Sequence, residues 1–377
     1  MLPQKKYRIA VLLSHPIHYL LSALKTLQEN PLIDLTVYFC SDFGLRAGFD
    51  TTFKKNITWY DKAILSGISH VFLKNYSPFS EMPRRFLSVI NPGIIKELKN
   101  NNFDALLLYG YTYCTNWIAL FAAHAYHIPA LLQGESNLLN YRPPYIQTLK
   151  KFILGIFFKK ISAFLAIGRL NLDYYLHYGV PRHKIFLSQY TVDNKYLQST
   201  AKLFVSKKQE IKNHLNIPDK LPIILFASKM IKRKAPVDLL KAYEPLKNDA
   251  ALLFVGDGPE KIRAQKYALE NSMKNVYFSG FQKPGELPKF YSIADIFVLP
   301  SYFETWGLVI NEAMNFSLPI ITTAMVGAAH DLVRHGDNGL IYTPGNILEL
   351  TACLSELLRD TAKQKSMGER SRKRIAA

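Results

Sequence analysis

The sequence predicts an α/β fold, with two Rossmann-like, doubly wound domains in tandem facing a central cleft. Three observations predict it. Short, nearly all-apolar runs alternate with longer helical stretches. The runs fall into two series, one within residues 7–188 and one within 222–341. Between the series lies a polar, lysine-rich stretch, residues 191–221. Strands buried on both faces lose the polar alternation of half-exposed ones, so all-apolar runs between helices read as a parallel sheet covered on both sides.

In the first series, strands are expected at 7–13, 35–40, 70–73, 105–109, 130–133, 163–167 and 185–188, with helices at 20–29, 115–126 and 170–178. In the second they are expected at 222–227, 251–255, 276–279, 296–299, 319–322 and 339–341, with helices at 237–246, 260–271, 308–316 and 348–358. A short helix, 207–215, is expected inside the polar stretch. The domain break falls within 190–205, which gives domains 1–195 and 196–377. Ligands bind at the carboxyl ends of such sheets, so the fold points to a cleft enzyme.

The chain has 377 residues, enough for two cores, and 49% hydrophobic against 20% charged residues excludes a disordered chain. Three scattered cysteines, Cys40, Cys114 and Cys353, read as buried thiols of a reducing compartment rather than a disulfide frame. The apolar run 9–13 is too short for a signal peptide, and nowhere do 18 apolar residues follow one another. A cytoplasmic protein is expected, peripheral at the inner face of the membrane if the charge is used there. The net charge is +18, of which residues 1–196 carry +11 (22 basic, 11 acidic) and the remainder +7 (25 basic, 18 acidic). Such a surplus favours an anionic partner such as a phosphorylated substrate, nucleic acid or an anionic membrane. No nucleic-acid recognition motif accompanies it, so nucleic acid is set aside.

The segment FETWGLVINEA (303–313) places Glu304 in a strand-to-helix loop and Glu312 eight residues on, within the helix. That is at most about 12 Å along a helix at 1.5 Å per residue. Carboxylates accept hydrogen bonds from hydroxyls, so each can hold one sugar ring. The N–H groups of Gly307 and Leu308 open the helix and suit a diphosphate. The segment ASKMIKRKAP (227–236) also joins a strand to a helix. Its Lys229 and Lys234 are five residues apart and can flank a diphosphate, whose departure as a leaving group builds negative charge that fixed cations stabilise. Gly256 lies in a third such turn, FVGDGPE (254–260), which lacks the dinucleotide fingerprint, so no cofactor is inferred. Gly327 begins a fourth loop whose N–H groups can meet a phosphate, with His330 and Asp331 facing the sugar or capping the helix. In the first domain, the loop SHPIHY (14–19) offers His15 and His18, and LQGESN (132–137) offers Glu135 and Asn137.

Taken in chain order (basic loop, Gly256 turn, glutamate pair, Gly327 loop), these four C-terminal landmarks resemble the retaining family 4 glycosyltransferases of the GT-B fold (glycosyl transferases group 1), over residues 222–345. The resemblance implies that Lys229 and Lys234 bind the donor diphosphate. It implies that Glu312 takes the ribose hydroxyls and Glu304 the transferred sugar, with the nucleobase near Gly280 and Phe281. Lys229 stands where the family has Arg, Asp331 where it commonly has Glu, and Glu135 where several relatives carry a His near the reacting sugar. The first domain resembles the family's acceptor domain, without the Gly-rich loop that many relatives have at 14–19. Related enzymes need no metal and retain configuration by front-face attack. The expected partners are therefore a UDP- or GDP-sugar donor and a glycan or lipid-linked acceptor of cell-surface polysaccharide or lipopolysaccharide synthesis.

The stretch 149–160 brackets apolar residues with two lysine pairs and reads either as an interfacial element on anionic lipid or as a buried helix with lysine-tipped ends. A non-catalytic glycan- or nucleotide-binding protein on the same scaffold is the alternative function, and an epimerase or phosphorylase of that fold a further one. Family members commonly run on into a final helix that crosses back to the first domain, and that helix is expected to be missing from this sequence.

Overall fold

Strands and helices alternate as the apolar runs set out, in a computed structural model that describes residues 5–46, 48–50, 55–57, 61–79, 85–139 and 143–376. The chain divides into two compact units, Met1–Gln189 and Tyr190–Ala377.

The first unit holds β1 (Tyr7–Leu13), α1 (His18–Glu29), β2 (Ile33–Phe39), a small antiparallel hairpin of β3 (Gly48–Asp50) and β4 (Lys55–Ile57), and β5 (His70–Phe72). Then come α2 (Gly93–Asn100), β6 (Ala105–Tyr109), α3 (Cys114–Ala125), β7 (Ala130–Gly134), α4 (Pro144–Lys159), β8 (Ala163–Ala166), α5 (Arg169–His177) and β9 (Ile185–Leu187). Seven strands form a parallel sheet in the order β5-β2-β1-β6-β7-β8-β9. The order reverses beside the central β1, as in doubly wound folds. Ala10, Val11, Leu12 and Leu13 are completely buried, which is why that strand reads as an unbroken apolar run.

The second unit opens with α6 (Asn194–Val205) and α7 (Lys208–His214). There follow β10 (Ile223–Ala227), α8 (Pro236–Tyr243), β11 (Ala251–Val255), α9 (Glu260–Glu270), β12 (Val276–Gly280), α10 (Leu287–Ile293) and β13 (Ile296–Leu299). The chain continues through α11 (Leu308–Asn315), β14 (Ile320–Thr323), α12 (Ala329–Leu332), β15 (Gly339–Tyr342), α13 (Ile347–Arg359) and α14 (Thr361–Ala376). Its six parallel strands are ordered β12-β11-β10-β13-β14-β15, reversing beside β10.

Strand limits move by one or two residues from the sequence expectation, the usual uncertainty of element ends. The larger differences include these three. The polar stretch after residue 190 contains a full helix, α6, capped by Asp193, whose carboxylate accepts from the Tyr196 N–H. The unit division falls at 189/190 rather than 195/196 because Tyr190 and Asn194 are tied to the second unit. Asn311 Nδ2 donates to the Tyr190 carbonyl at 3.2 Å, and Asn315 Nδ2 to Asn194 Oδ1 at 2.8 Å. Finally, α14 lies beyond 348–358, the last helix assigned from the sequence. Met367 is buried against the second core, and a Cβ on Gly368 would lie 2.0 Å from the Ser317 carbonyl oxygen, so only glycine permits that approach.

The three cysteines are free, but only Cys40 is buried, while Cys114 and Cys353 are half-buried. Among the described residues, no helix is long and apolar enough to cross a membrane.

Candidate active site

In the second unit, the loops following β10, β11, β13 and β14 gather at the carboxyl ends of neighbouring strands. The loop after β10 ends in a short 3-10 turn, Lys232–Lys234, and Pro236 at the first turn of α8 fixes where that helix begins. The turn drives Lys234 inward to 8% exposure, and its Nζ lies 2.5 Å from Glu304 Oε1. Glu304 is also 8% exposed. Burial pushes the Lys234 ammonium below the ordinary lysine range, and the neighbouring Glu304 carboxylate opposes that shift.

Arg233 reaches the same Oε1 at 3.2 Å and donates to the Phe303 carbonyl at 2.9 Å. In the sequence it was one cation among several. The turn separates the three neighbours, leaving Lys232 exposed, Arg233 on the rim and Lys234 inside. Lys229 is exposed and close enough that its charge also depresses Lys234.

Glu304 is held from behind by the turn after β14. Its N–H donates to the Met325 carbonyl at 3.0 Å, and its carbonyl accepts from the Gly327 N–H at 3.1 Å. Gly327 therefore serves the site through its missing side chain. A Cβ there would lie 2.1 Å from the Thr305 carbonyl oxygen, and its N–H is already spent within the fold. Gly256 does similar work beneath the basic loop, at φ +143° with a would-be Cβ 2.0 Å from the Ser228 carbonyl oxygen. The Gly256 N–H donates to the Gly280 carbonyl at 2.9 Å, which ties the β11 turn to the start of the Phe281 loop. Gly307 caps α11 in a left-handed conformation, φ +107°, so that Leu308 begins the helix.

Glu312 sits half-buried on α11 and accepts a hydrogen bond from the Tyr291 hydroxyl at 2.7 Å. Burial raises its carboxyl to about 7, and the Tyr291 bond limits the rise. Asp331 lies on α12, and its backbone carbonyl accepts from Arg374 at 2.9 Å. His330 contacts the Ala324 carbonyl at 2.7 Å, so the ring closes its own turn.

In the first unit, a second polar cluster lies at the ends of β1 and β7. Tyr19 donates its hydroxyl to Glu135 Oε1 at 2.9 Å. His18 stands edge-on to Tyr19 with ring centroids 5.4 Å apart, and burial lowers its imidazole to about 4, so it is neutral at pH 7. His15 Nδ1 pairs with Ser14 Oγ at 2.9 Å, and its ring meets Phe43 edge-on. Asn137 accepts from the Leu139 N–H at 3.2 Å, while its buried amide nitrogen has no hydrogen-bond partner. A buried donor left unmade is costly, so such a group is suited to a ligand or water.

Residues 207–374 match the family profile described as glycosyl transferases group 1. A sulfoquinovosyl transferase of Arabidopsis thaliana is 31% identical over 45% of this chain and 32% of its own length. An N-acetyl-alpha-D-glucosaminyl L-malate synthase of Bacillus anthracis is 30% identical over 44% of each chain. This chain thus spans about a third to under a half of the curated relatives it matches first. A crystal structure of the Anabaena protein HepE in complex with UDP and glucose superposes over 98% of this chain and 94% of that one, with a TM-score of 0.70 at 16% identity. The likeness is one of fold, and that fold is GT-B.

Proposed function

We infer, from a C-terminal unit whose residues 207–374 belong to the glycosyl transferases group 1, that this chain moves a sugar from a nucleotide-sugar donor to a glycan or lipid-linked acceptor. The observation that carries the reading is the buried Lys234–Glu304 pair at the strand ends, with Glu312 following on the helix that opens there.

Each role follows from chemistry. The Lys234 ammonium has three donors, so it can hold Glu304 and still meet a diphosphate oxygen. Lys229 and Arg233 add charge at the rim, and the Leu308 end of α11 supplies backbone N–H groups. As the sugar–phosphate bond breaks, these cations stabilise the leaving diphosphate. Glu304, charge-balanced by its lysine, positions the transferred sugar through its hydroxyls and is not a nucleophile. Glu312 takes the ribose hydroxyls, and the base lies near Gly280 and Phe281. Asp331 lies on the donor side. Glu135, His15, His18 and Asn137 belong to the acceptor side, where the Asn137 amide supplies donors. We assign the chain to the retaining, metal-independent family 4 enzymes, with the acceptor hydroxyl attacking on the face the diphosphate leaves and passing its proton to that diphosphate. Relatives' names support a place in cell-surface polysaccharide or glycolipid synthesis, and the basic surplus of the chain supports a position at the cytoplasmic side of an anionic membrane.

Calorimetric titration with a panel of UDP- and GDP-sugars tests this reading, with UDP-glucose first because the Anabaena protein was crystallised with UDP and glucose. One donor should bind, and its affinity should rise about tenfold from pH 6 to pH 8 as Glu312 ionises around a value of about 7. Glu312→Gln should flatten that rise. The sign for stability is opposite. The folded value lies above the unfolded one, so the contribution of Glu312 is complete below the unfolded value and is lost as pH rises through about 7. Binding by no member of the panel would refute the assignment.

A further inference from the structure

Helix α4 of the first unit is apolar on two faces. Leu154, Phe157 and Phe158 enter the core, while Tyr145, Leu149, Phe152, Ile153 and Ile156 stay exposed at helical spacing. Phe152 is 70% exposed and Leu149 61%. Beside this stripe lie Lys150, Lys151, Lys159 and Lys160, and no acidic residue occurs between 143 and 160.

Along one side of α4 runs a groove of about 740 Å³, walled by Phe86, Trp117, Leu149 and Ile153. That volume falls within the roughly 300–1,000 Å³ of small-ligand sites. Its polar lining is gathered in one place. The Tyr111 hydroxyl pairs with Ser136 Oγ at 2.6 Å and with the Tyr174 hydroxyl at 2.5 Å, and Lys150 Nζ lies 4.8 Å from the centre of the Tyr174 ring. Ser136 is the chain neighbour of both Glu135 and Asn137.

We propose that this groove seats one hydrocarbon chain of an anionic amphiphile whose headgroup emerges at Ser136, beside Glu135 and Asn137. The ligand is the acceptor, which makes it a lipid-linked one; this step rests on the transferase reading above. Three features fix the occupant. An apolar trench that ends in hydroxyls and a lysine matches the polarity of an amphiphile. Four lysines on a stretch that contributes no acidic residue of its own match an anionic headgroup or bilayer surface. A second copy of this chain is disfavoured because each copy carries a net charge of +18.

Calorimetry with octyl, decyl and dodecyl phosphate, each below its micelle concentration, tests the proposal. Affinity should rise roughly fourfold per added methylene until the groove is filled. Ile153→Glu, at a position already 41% exposed, should weaken dodecyl phosphate binding at least tenfold with an unchanged circular dichroism spectrum. Phe152→Glu lies outside the groove lining. It should leave monomer binding intact while reducing co-sedimentation with phosphatidylglycerol vesicles at low salt. Absence of chain-length dependence, or equal loss of monomer binding in both variants, would overturn the groove and leave α4 as a bilayer-resting surface only. The readouts separate from those of the transferase reading. Alkyl phosphate binding without any nucleotide-sugar binding keeps the groove and removes the acceptor role, and the converse removes the groove alone.

Discussion

Glu304→Ala should abolish measurable transfer, a loss of at least about 10²–10³-fold in turnover, and should destabilise the second unit by roughly 3–5 kcal/mol. The two losses have different causes. Both side chains of the Lys234–Glu304 pair are only 10% exposed, so removing the acid strands a buried ammonium that burial already disfavours. Lys234→Met should be milder, because Arg233 remains 3.2 Å from the orphaned carboxylate and is itself partly solvated. The double variant Glu304→Gln/Lys234→Met should regain most of the stability, since two neutral groups replace a buried ion pair. It should not regain turnover. If activity returned along with stability, the pair would be structural only. Thermal unfolding and steady-state kinetics on the three variants decide between these outcomes.

Gly256→Ala is expected to cost roughly 2–6 kcal/mol and to raise the donor KM. Left-handed strain and overpacking each contribute about 1–3 kcal/mol. The new methyl would lie 2.0 Å from the Ser228 carbonyl oxygen, so the backbone carrying Lys229 must move. Gly336→Ala is the control. Its φ is also positive, +78°, but nothing lies within 4 Å, so it should show strain alone and an unchanged KM. Equal effects of the two substitutions would show that Gly256 does not support the basic loop.

The sheets were legible in the sequence because strands such as β10 and β11 are buried at every position and so read as unbroken apolar runs. Helix α6 was not, because it buries only Leu197 and its polar surface resembles a linker. In the candidate site, the two glutamates and Lys234 stood out in the sequence from their places near apolar strands, and the structure pairs Glu304 with Lys234. Arg233 could not be singled out, since only the geometry of the 3-10 turn tells three adjacent cations apart. The Tyr291–Glu312 bond joins residues 21 apart on different helices and leaves no local signal. The roles of Gly256 and Gly327 were half legible. A glycine in a strand-to-helix turn suggests ligand approach, whereas here the missing Cβ makes room for neighbouring backbone. For α4, apolar residues on two faces could not be sorted into buried and exposed without the fold.

Sugar transfer from a nucleotide donor can be followed by proton NMR of the reaction of wild-type protein with the donor identified by titration. The spectra should show release of the nucleoside diphosphate, an anomeric signal with the donor's own configuration, no effect of EDTA, and silence in Glu304→Gln. An intact donor after prolonged incubation with acceptor extract, or a product of inverted configuration, would contradict retaining sugar transfer.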